Sequence, residues 1–476
     1  MYVLAVCAVV QSNNNAIAQT GRDTIYFGDW VGTIEFQGAK LKIVFHVTRD
    51  SIGTLGAKMD SPDQGAFGIA TSGFEVRGDS VFIGVSSIGG GYEGLLTTGR
   101  DSLVGRWKQG GVAIDLNIAK LAVPLPSVTM NRPQEPKPPY PYRTEDVTFA
   151  GKSTGMTYTG TVTEPDSGGP FAAAILITGS GEHDRDETLV GHKPFKVIAD
   201  YLTRRGIAVL RVDDRGIGGS SGDKMGVTSA VHAEDVLAEL DYLKGRNDID
   251  PLRIGLVGHS EGGVIAPLVA SESKDVAFVV LLAGTGMTGS EIVVAQIRLI
   301  EEADSVSPVE TEKETREISE AHAIVKSSAD SADAAKRLRD YFISKEDEWG
   351  PGIKKIGGDP EKFIEERINS LLNPWFRFFI TYDPRPALEK VKCPVLAMGG
   401  TLDLQVPAKE NLKEIETALK KGGNKDYTIK LLPGLNHLFQ HATTGSPKEY
   451  AQIEETFSPE ALRIMGDWIL SKTANK

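Results

Sequence analysis

The sequence predicts a small all-β domain followed by an α/β domain with a doubly wound parallel sheet and a helical lid insertion. Three observations predict this fold class. Apolar and polar residues alternate between positions 22 and 121, seven prolines fall between 122 and 144, and short apolar runs alternate with helical segments from 145 onward. At roughly 150 residues per domain, a chain of 476 residues has room for about three domains.

Residues 22–121 have the two-residue period of strands that bury one face. Leu41, Ile43, Phe45 and Val47, for example, alternate with more polar neighbours. Glycine is frequent and no helix-length periodic segment interrupts the pattern, which predicts a small antiparallel barrel or sandwich. The prolines of 122–144 predict an extended, semi-rigid linker, so we place the first domain boundary there.

After residue 145, five short apolar runs predict buried parallel strands. They are Phe171–Thr178, Gly206–Val212, Arg253–Gly258, Ala277–Leu282 and Pro394–Gly399. Segments with a helical period lie between several of them, namely Pro194–Arg205, Val231–Lys244 and Ser260–Ser271. Residues 286–385 are mostly charged, helix-forming sequence. They predict a helical lid or cap inserted into an α/β domain made of 145–285 and 386–476.

The first 18 residues have the pattern of a secretory signal peptide. An apolar run, Tyr2–Val10, precedes the small-residue sequence Ala16-Ile17-Ala18, which predicts cleavage after Ala18 and a secreted or periplasmic protein. The run is too short to span a bilayer as a helix. A buried N-terminal strand is the alternative. Cleavage would remove Cys7 and leave Cys393 unpaired.

Composition excludes several classes of function. The chain has 52 Lys and Arg against 64 Asp and Glu, a net charge of −12, so it offers no basic stripe for nucleic acid or an anionic membrane. Its two cysteines cannot form a zinc ligand set. The expected partner is therefore a small molecule, with no stable membrane insertion.

The strongest chemical signal is Gly258-His259-Ser260-Glu261-Gly262, which follows an apolar run and opens a helical segment. At such a strand-to-helix turn the serine is held in a strained conformation, and its neighbours must be small for the backbone to pass. Ser260 is therefore the candidate nucleophile, with an ordinary helix-cap serine as the alternative.

A serine hydroxyl needs a base to take its proton, and a carboxylate to orient that base. Asp403 follows the predicted strand Pro394–Gly399, and His437 follows another predicted strand, Thr428–Leu432. This chain order of serine, acid and histidine predicts Asp403 as the acid and His437 as the base. His441 is the rival base.

An oxyanion formed on the substrate needs two backbone N–H donors. We predict the amide of Glu261, directly after the nucleophile, and the amide of Ser180 in the loop that follows the strand 172–177. His259 is expected to pack beside the nucleophile without reacting.

Three other clusters have weaker interpretations. Residues 182–186 could attract a metal, but a salt-bridged rim of the cleft fits five consecutive polar residues better, so we predict no metal. Residues 213–220 are interpreted as an Arg–carboxylate brace rather than a phosphate loop. Residues 375–382 contain five aromatic side chains. Trp375, Phe376 and Phe379 are candidates for lining a substrate pocket, and buried packing is the alternative.

From about Glu145 to the C-terminus, these motifs resemble the α/β-hydrolase superfamily. More narrowly, they resemble bacterial carboxylesterases with an N-terminal β domain, a group related to serine aminopeptidases and prolyl oligopeptidase-like catalytic domains. The resemblance rests on Thr178–Gly181, Asp213–Gly216, Gly258–Gly263, Pro374–Arg377 and the loops of Asp403 and His437. It implies hydrolysis of short acyl esters, without a cofactor, by Ser260, Asp403 and His437.

Two other functions stay open at this stage. A serine aminopeptidase-like enzyme would use the same triad and an acidic grip on the substrate's N-terminal amine, supplied by Glu182, Asp184 or Asp186. A non-catalytic envelope binding protein would use the fold as a scaffold.

Overall fold

The computed structural model describes residues 25–36, 39–49, 54–64, 66–85, 88–109, 112–123, 125, 131–223, 226–355 and 358–474. The predicted signal segment 1–18 and Cys7 lie outside the described residues. The chain forms two compact units. The first contains Met1–Thr129 and Phe342–Arg367, and the second contains Met130–Tyr341 and Ile368–Lys476.

The first unit contains an antiparallel sheet, as the alternating pattern predicts. Its strands are β1 (Gly28–Phe36), β2 (Ala39–Arg49), β3 (Leu55–Ser61), β4 (Ala66–Ala70), β5 (Gly73–Arg77), β6 (Ser80–Val85), β7 (Gly90–Leu96), β8 (Ser102–Gln109), β9 (Val112–Asp115) and β10 (Ile118–Lys120). They are ordered β4-β3-β2-β1-β10-β8-β7-β6-β5, with β9 paired to β8. Alternate residues, including Trp30, Phe45 and Tyr92, form its core.

The second unit is built on an eight-stranded sheet with the order β11-β12-β14-β13-β15-β16-β17-β18. The strands are β11 (Arg143–Ala150), β12 (Thr157–Glu164), β13 (Phe171–Ile177), β14 (Ile207–Val212), β15 (Ile249–His259), β16 (Val279–Leu282), β17 (Val395–Gly400) and β18 (Tyr427–Leu432). The pairs from β14 to β18 are all parallel, so their carboxyl ends share one edge of the sheet.

Helices cover both faces of this sheet. They are α1 (Pro194–Thr203), α2 (Ser229–Lys244), α3 (Gly262–Glu272), α11 (Ala408–Lys421) and α12 (Pro459–Thr473). Side chains of α2, α3 and α11 belong to one buried cluster, and those of α1 and α12 to another. Strands β13 and β14 are buried along their whole length, which explains why they are continuous apolar runs. The predicted fold class is confirmed.

Two antiparallel strands at one edge of the sheet were not predicted. In β11 only Val147 and Phe149 are buried, so the strand has a weak apolar signal. The predicted linker ended at 144, whereas β11 begins at Arg143. Part of that linker is also anchored: the guanidinium of Arg132 donates hydrogen bonds to the carbonyls of Ala451 (2.7 Å), Ile453 (2.7 Å) and Val190 (3.1 Å).

The segment between β16 and β17 is helical, as predicted. Its helices are α4 (Gly289–Ala303), α5 (Pro308–Ser327), α6 (Ser331–Ser344), α7 (Glu346–Lys355), α8 (Pro360–Leu372), α9 (Pro374–Thr381) and α10 (Arg385–Lys390). We predicted one insertion over 286–385, but 342–367 belong to the first compact unit. None of the helices in the described ranges is long and apolar enough to cross a membrane.

Candidate active site

Ser260 lies at a sharp bend between β15 and α3. Its φ is +53°, a left-handed conformation that non-glycine residues rarely adopt, and its amide donates to the carbonyl of Leu282 at 2.8 Å. A Cβ added to Gly258 would lie 2.0 Å from the carbonyl oxygen of Gly262. A Cβ on Gly262 would lie 2.2 Å from the carbonyl oxygen of Ile177. The glycines therefore allow the tight turn that exposes the serine.

Gly262→Ala is expected to destabilise the second unit by about 3 kcal/mol, because the new methyl meets strand backbone rather than a movable side chain. The measurement is the free energy of unfolding in urea. Gly245→Ala is the matched control, since a Cβ there meets no atom closer than 3.4 Å and its φ is −81°. Equal stability of the two variants would contradict the steric argument.

Asp403 and His437 meet as predicted. Nδ1 of His437 lies 2.9 Å from Oδ2 and 3.1 Å from Oδ1 of Asp403, and both residues are buried. Oδ1 also accepts the backbone amides of Gln405 (3.0 Å) and Val406 (2.8 Å). A carboxylate held by these donors is an acceptor for the Nδ1 proton, which leaves Nε2 of His437 free to take up another proton.

The loops that carry these two residues are packed against each other. The amide of Leu402 donates to the carbonyl of Leu435 at 2.9 Å, and a Cβ on Gly400 would lie 2.0 Å from that same oxygen. The rival base His441 is exposed, and its Nδ1 lies 2.8 Å from Glu455. The structure thus pairs Asp403 with His437 and not with His441.

Ser260 and His437 lie at the same end of the sheet. Nε2 of His259 is 3.0 Å from the carbonyl oxygen of His437, and the two imidazole centroids are 4.9 Å apart. Ser260 itself is half-buried. Among the hydrogen bonds of the described residues, none joins its hydroxyl to His437. Such catalytic hydrogen bonds are often long in unliganded enzymes and tighten when substrate binds.

The predicted oxyanion loop lies beside Ser260. A Cβ on Gly179 would be 3.3 Å from the Cβ of Ser260, so the loop passes directly against it. Within the described part of the chain, the amides of Ser180 and Glu261 donate no hydrogen bond to another protein group. Two uncommitted donors on either side of a serine are what a developing oxyanion requires.

Glu187 is a site residue that was not predicted from the sequence. Its Oε1 accepts the Gly179 amide at 2.7 Å and lies 2.9 Å from Nδ1 of His259, and both side chains are buried. Burial favours the neutral forms, but the mutual attraction outweighs it. The pKa of Glu187 is therefore lowered and that of His259 is raised from their ordinary values. No local motif marks Glu187, because its partner is 72 positions away.

Trp375 contacts the carboxylate of Glu261. Its Nε1–H lies 2.9 and 3.0 Å from the two carboxylate oxygens of Glu261, and the hydroxyl of Ser229 donates to the same carboxylate at 2.6 Å. The ring of Phe379 stacks on Trp375 with centroids 5.5 Å apart. Phe376 packs against His322, at 5.8 Å. Helix α9 is therefore fixed to the residue that follows Ser260.

Trp375→Phe keeps an aromatic ring but removes the donor to the Glu261 carboxylate. We expect the free energy of unfolding to fall by about 2 kcal/mol, the value typical of a hydrogen bond to a charged group. Trp468→Phe is the matched control, because Trp468 donates to the neutral hydroxyl of Thr428. That control should lose about 1 kcal/mol. Urea unfolding of both variants measures the difference, and a smaller loss for Trp375→Phe would contradict the charge-assisted bond.

The acidic and Gly-rich clusters form ion pairs. Arg185 contacts Asp213 at 2.7 Å, Asp186 pairs with Arg211, and Arg215 pairs with Asp235 of α2 at 2.6 Å. The Arg–carboxylate ion pairs predicted within 213–220 are therefore formed with residues outside that segment. Asp214 accepts the Thr178 hydroxyl at 2.8 Å, and burial raises its pKa to about 6. In the described ranges, no group of three or more His, Cys, Asp or Glu side chains is arranged to hold a metal ion.

Parts of the chain are similar to known proteins. A family model described as serine aminopeptidase S33 matches residues 191–330. Esterase EstD of Thermotoga maritima is 27% identical over 303 residues, which cover 63% of this chain and 61% of that esterase. Among solved structures, an esterase from Pyrococcus furiosus is 15% identical with a TM-score of 0.42, covering 74% of this chain and 100% of that one. An α/β hydrolase, GrgF, from a Penicillium species is 16% identical with a TM-score of 0.43, covering 70% and 100%.

The mixed sheet, the strained serine turn and the order of serine, acid and histidine are features of the α/β-hydrolase fold. The chain is similar to a bacterial esterase and, over residues 191–330, to the serine aminopeptidase S33 family model.

Proposed function

We propose that this protein is a serine hydrolase that cleaves short-acyl carboxylic esters through a Ser260–His437–Asp403 triad. The observation that carries the proposal is the buried His437–Asp403 pair, 2.9 Å from Nδ1 to Oδ2, at the edge of the sheet where Ser260 is held at φ +53°. The match to Esterase EstD supports an ester as the substrate.

The proposed reaction has two halves. Oγ of Ser260 attacks the ester carbonyl carbon while Nε2 of His437 takes its proton, and the oxyanion accepts the amides of Glu261 and Ser180. The bond to the alcohol breaks as His437 returns that proton to the leaving oxygen, which leaves an acyl group on Ser260. Water then repeats the sequence, releasing a carboxylic acid and restoring the serine.

A serine aminopeptidase-like activity is the second candidate, favoured by the family model over 191–330. It needs an acidic group for the substrate's amine. All three acids considered for that role, Glu182, Asp184 and Asp186, have interactions within the chain. Asp184 accepts the Thr188 hydroxyl at 2.7 Å, and Asp186 pairs with Arg211. These contacts favour the ester over the peptide substrate.

A direct comparison of substrates tests the proposal. The protein is assayed with p-nitrophenyl acetate, butyrate and longer acyl esters, and with aminoacyl p-nitroanilides. We expect the highest kcat/KM for acetyl or butyryl esters. Faster turnover of the anilides would establish the peptidase instead. A protein that hydrolyses neither and resists labelling by a fluorophosphonate would be the non-catalytic binding protein considered above.

We also propose that the protein is exported by the segment 1–18. This rests on the apolar run Tyr2–Val10 and the Ala16-Ile17-Ala18 sequence. N-terminal sequencing of the protein recovered from the periplasm or medium should begin at Gln19, and retention in the cytoplasm would contradict export.

A further inference from the structure

Both ring nitrogens of His259 face hydrogen-bond acceptors. Nδ1 lies 2.9 Å from Oε1 of Glu187, and Nε2 lies 3.0 Å from the carbonyl oxygen of His437. His259 is 7% exposed and Glu187 is 3% exposed, so water does not replace either partner. The His259 ring therefore lies between a buried carboxylate and the backbone of the proposed base.

These contacts determine where the protons are. A backbone carbonyl has no proton to give, so Nε2 must be the donor to His437. Oε1 of Glu187 already accepts the Gly179 amide at 2.7 Å, which makes it an acceptor for Nδ1 as well. With a donor needed at both nitrogens, the ring is an imidazolium.

We infer that His259 is a positively charged positioning residue of the proposed esterase, and that with Glu187 it fixes the oxyanion loop and the base loop relative to the nucleophile. The inference rests on the proposed function for its catalytic consequence but not for its protonation state. Neither residue touches the reacting atoms. The pair acts through Gly179 on one side and through the carbonyl of His437 on the other.

The arrangement joins three separate parts of the chain. Glu187 holds Gly179, which directly precedes the proposed oxyanion donor Ser180. His259 directly precedes Ser260 and binds the backbone of His437. Glu187 has a φ of +51°, a left-handed conformation that is unfavourable for a non-glycine residue. Its contacts with Gly179 and His259 hold its carboxylate in place despite that cost.

Two titratable groups nearby favour the charged forms of the pair. The carboxylate of Asp403 favours the charged form of His259, and His183 favours the ionised form of Glu187. Burial acts against both charges. The balance raises the pKa of His259 and lowers that of Glu187, which is the direction the hydrogen bonds require.

The protonation state can be measured on the unaltered protein. The measurement is ¹⁵N NMR of the full chain labelled at histidine, with His259 assigned from the signal that the His259→Gln variant lacks. Both ring nitrogens of His259 should carry protons at pH 7.5. That pH is about one unit above the ordinary pKa of histidine. An unprotonated ring nitrogen at that pH would overturn the inference. This readout requires neither activity nor a folded Glu187 variant.

The catalytic consequence is tested with Glu187→Gln. Without the negative charge of Glu187 the buried ring gives up one proton and keeps the other on Nε2, which donates to the His437 carbonyl. The amide oxygen that accepts Gly179 then faces an unprotonated Nδ1, so one of the two loops loses its support. We expect kcat to fall about 100-fold with little change in KM, the loss typical of a misplaced catalytic group. A variant that folds and keeps its kcat would refute the positioning role.

The matched control is Glu455→Gln, which removes the carboxylate from the exposed His441–Glu455 pair. Its kcat should stay unchanged, which separates loss of the Glu187 contact from loss of any His–Glu pair. Failure of the proposed function is distinguishable. If the wild-type chain hydrolyses no ester while His259 is doubly protonated, the esterase proposal fails and the charged pair stands.

Discussion

Ser260→Ala is expected to lower kcat for p-nitrophenyl acetate by roughly 10⁵-fold, the order seen when a triad nucleophile is removed. The reason is that, in the proposed mechanism, only Oγ of this residue forms the acyl-enzyme. The turn should survive, because alanine has the same Cβ as serine and adds no atom against Gly179. Steady-state kinetics measures the loss, and fluorophosphonate labelling should disappear with it.

Ser271→Ala is the control for this variant. Ser271 lies on the same helix, α3, and its hydroxyl donates to the carbonyl of Leu268 at 2.8 Å, away from the nucleophile turn. Its kcat should equal that of the wild type. If Ser260→Ala retained most of the esterase rate, another group would be the nucleophile and the proposed mechanism would be wrong.

Those parts of the site that obey local rules could be predicted from the sequence. A serine between glycines after an apolar run predicts the strained turn, because the steric requirement acts on residues two positions apart. The same holds for Asp403 and His437, which follow the strands β17 and β18. Parallel strands bring their carboxyl ends to one edge, so residues far apart in sequence could be expected to meet there.

Contacts between side chains that are far apart in the sequence, and that depend on how each side chain is oriented, could not be predicted in this way. Glu187 reaches His259 across 72 positions, and Trp375 reaches Glu261 across 114. Several acids precede Glu187 in the same loop, and no periodicity tells which of them will face the histidine. The aromatic character of 375–382 predicted packing or a pocket, but not that an indole N–H would bind a carboxylate beside the nucleophile.

The edge strands were missed for a different reason. Central strands are buried on both faces and are therefore continuous apolar runs, whereas β11 exposes most of its residues. Its sequence, Arg-Thr-Glu-Asp-Val-Thr-Phe-Ala, has a weak hydrophobic signal. Strand β11 is held in the sheet by pairing with β12 over its full length. This backbone pairing leaves no signal in the apolar pattern of the sequence.

Asp403→Asn is expected to lower kcat by roughly 10⁴-fold while leaving the loop folded. The side-chain oxygen Oδ1 accepts the amides of Gln405 and Val406, and an asparagine oxygen can accept both in the same way. The new Nδ2 group must then occupy the position of Oδ2, 2.9 Å from Nδ1 of His437. There it donates a hydrogen bond where the carboxylate accepted one.

That reversal changes the tautomer of the base. With Nδ1 accepting from the introduced amide group, the single proton of neutral His437 moves to Nε2, and the imidazole can no longer take the proton of Ser260. The loss should therefore appear in kcat without a matching loss of unfolding free energy. Asp426→Asn, which removes an exposed carboxylate paired with Lys472, controls for lost negative charge and should keep the wild-type rate. If Asp403→Asn destabilised the protein but hydrolysed esters normally, Asp403 would support the loop and not the base.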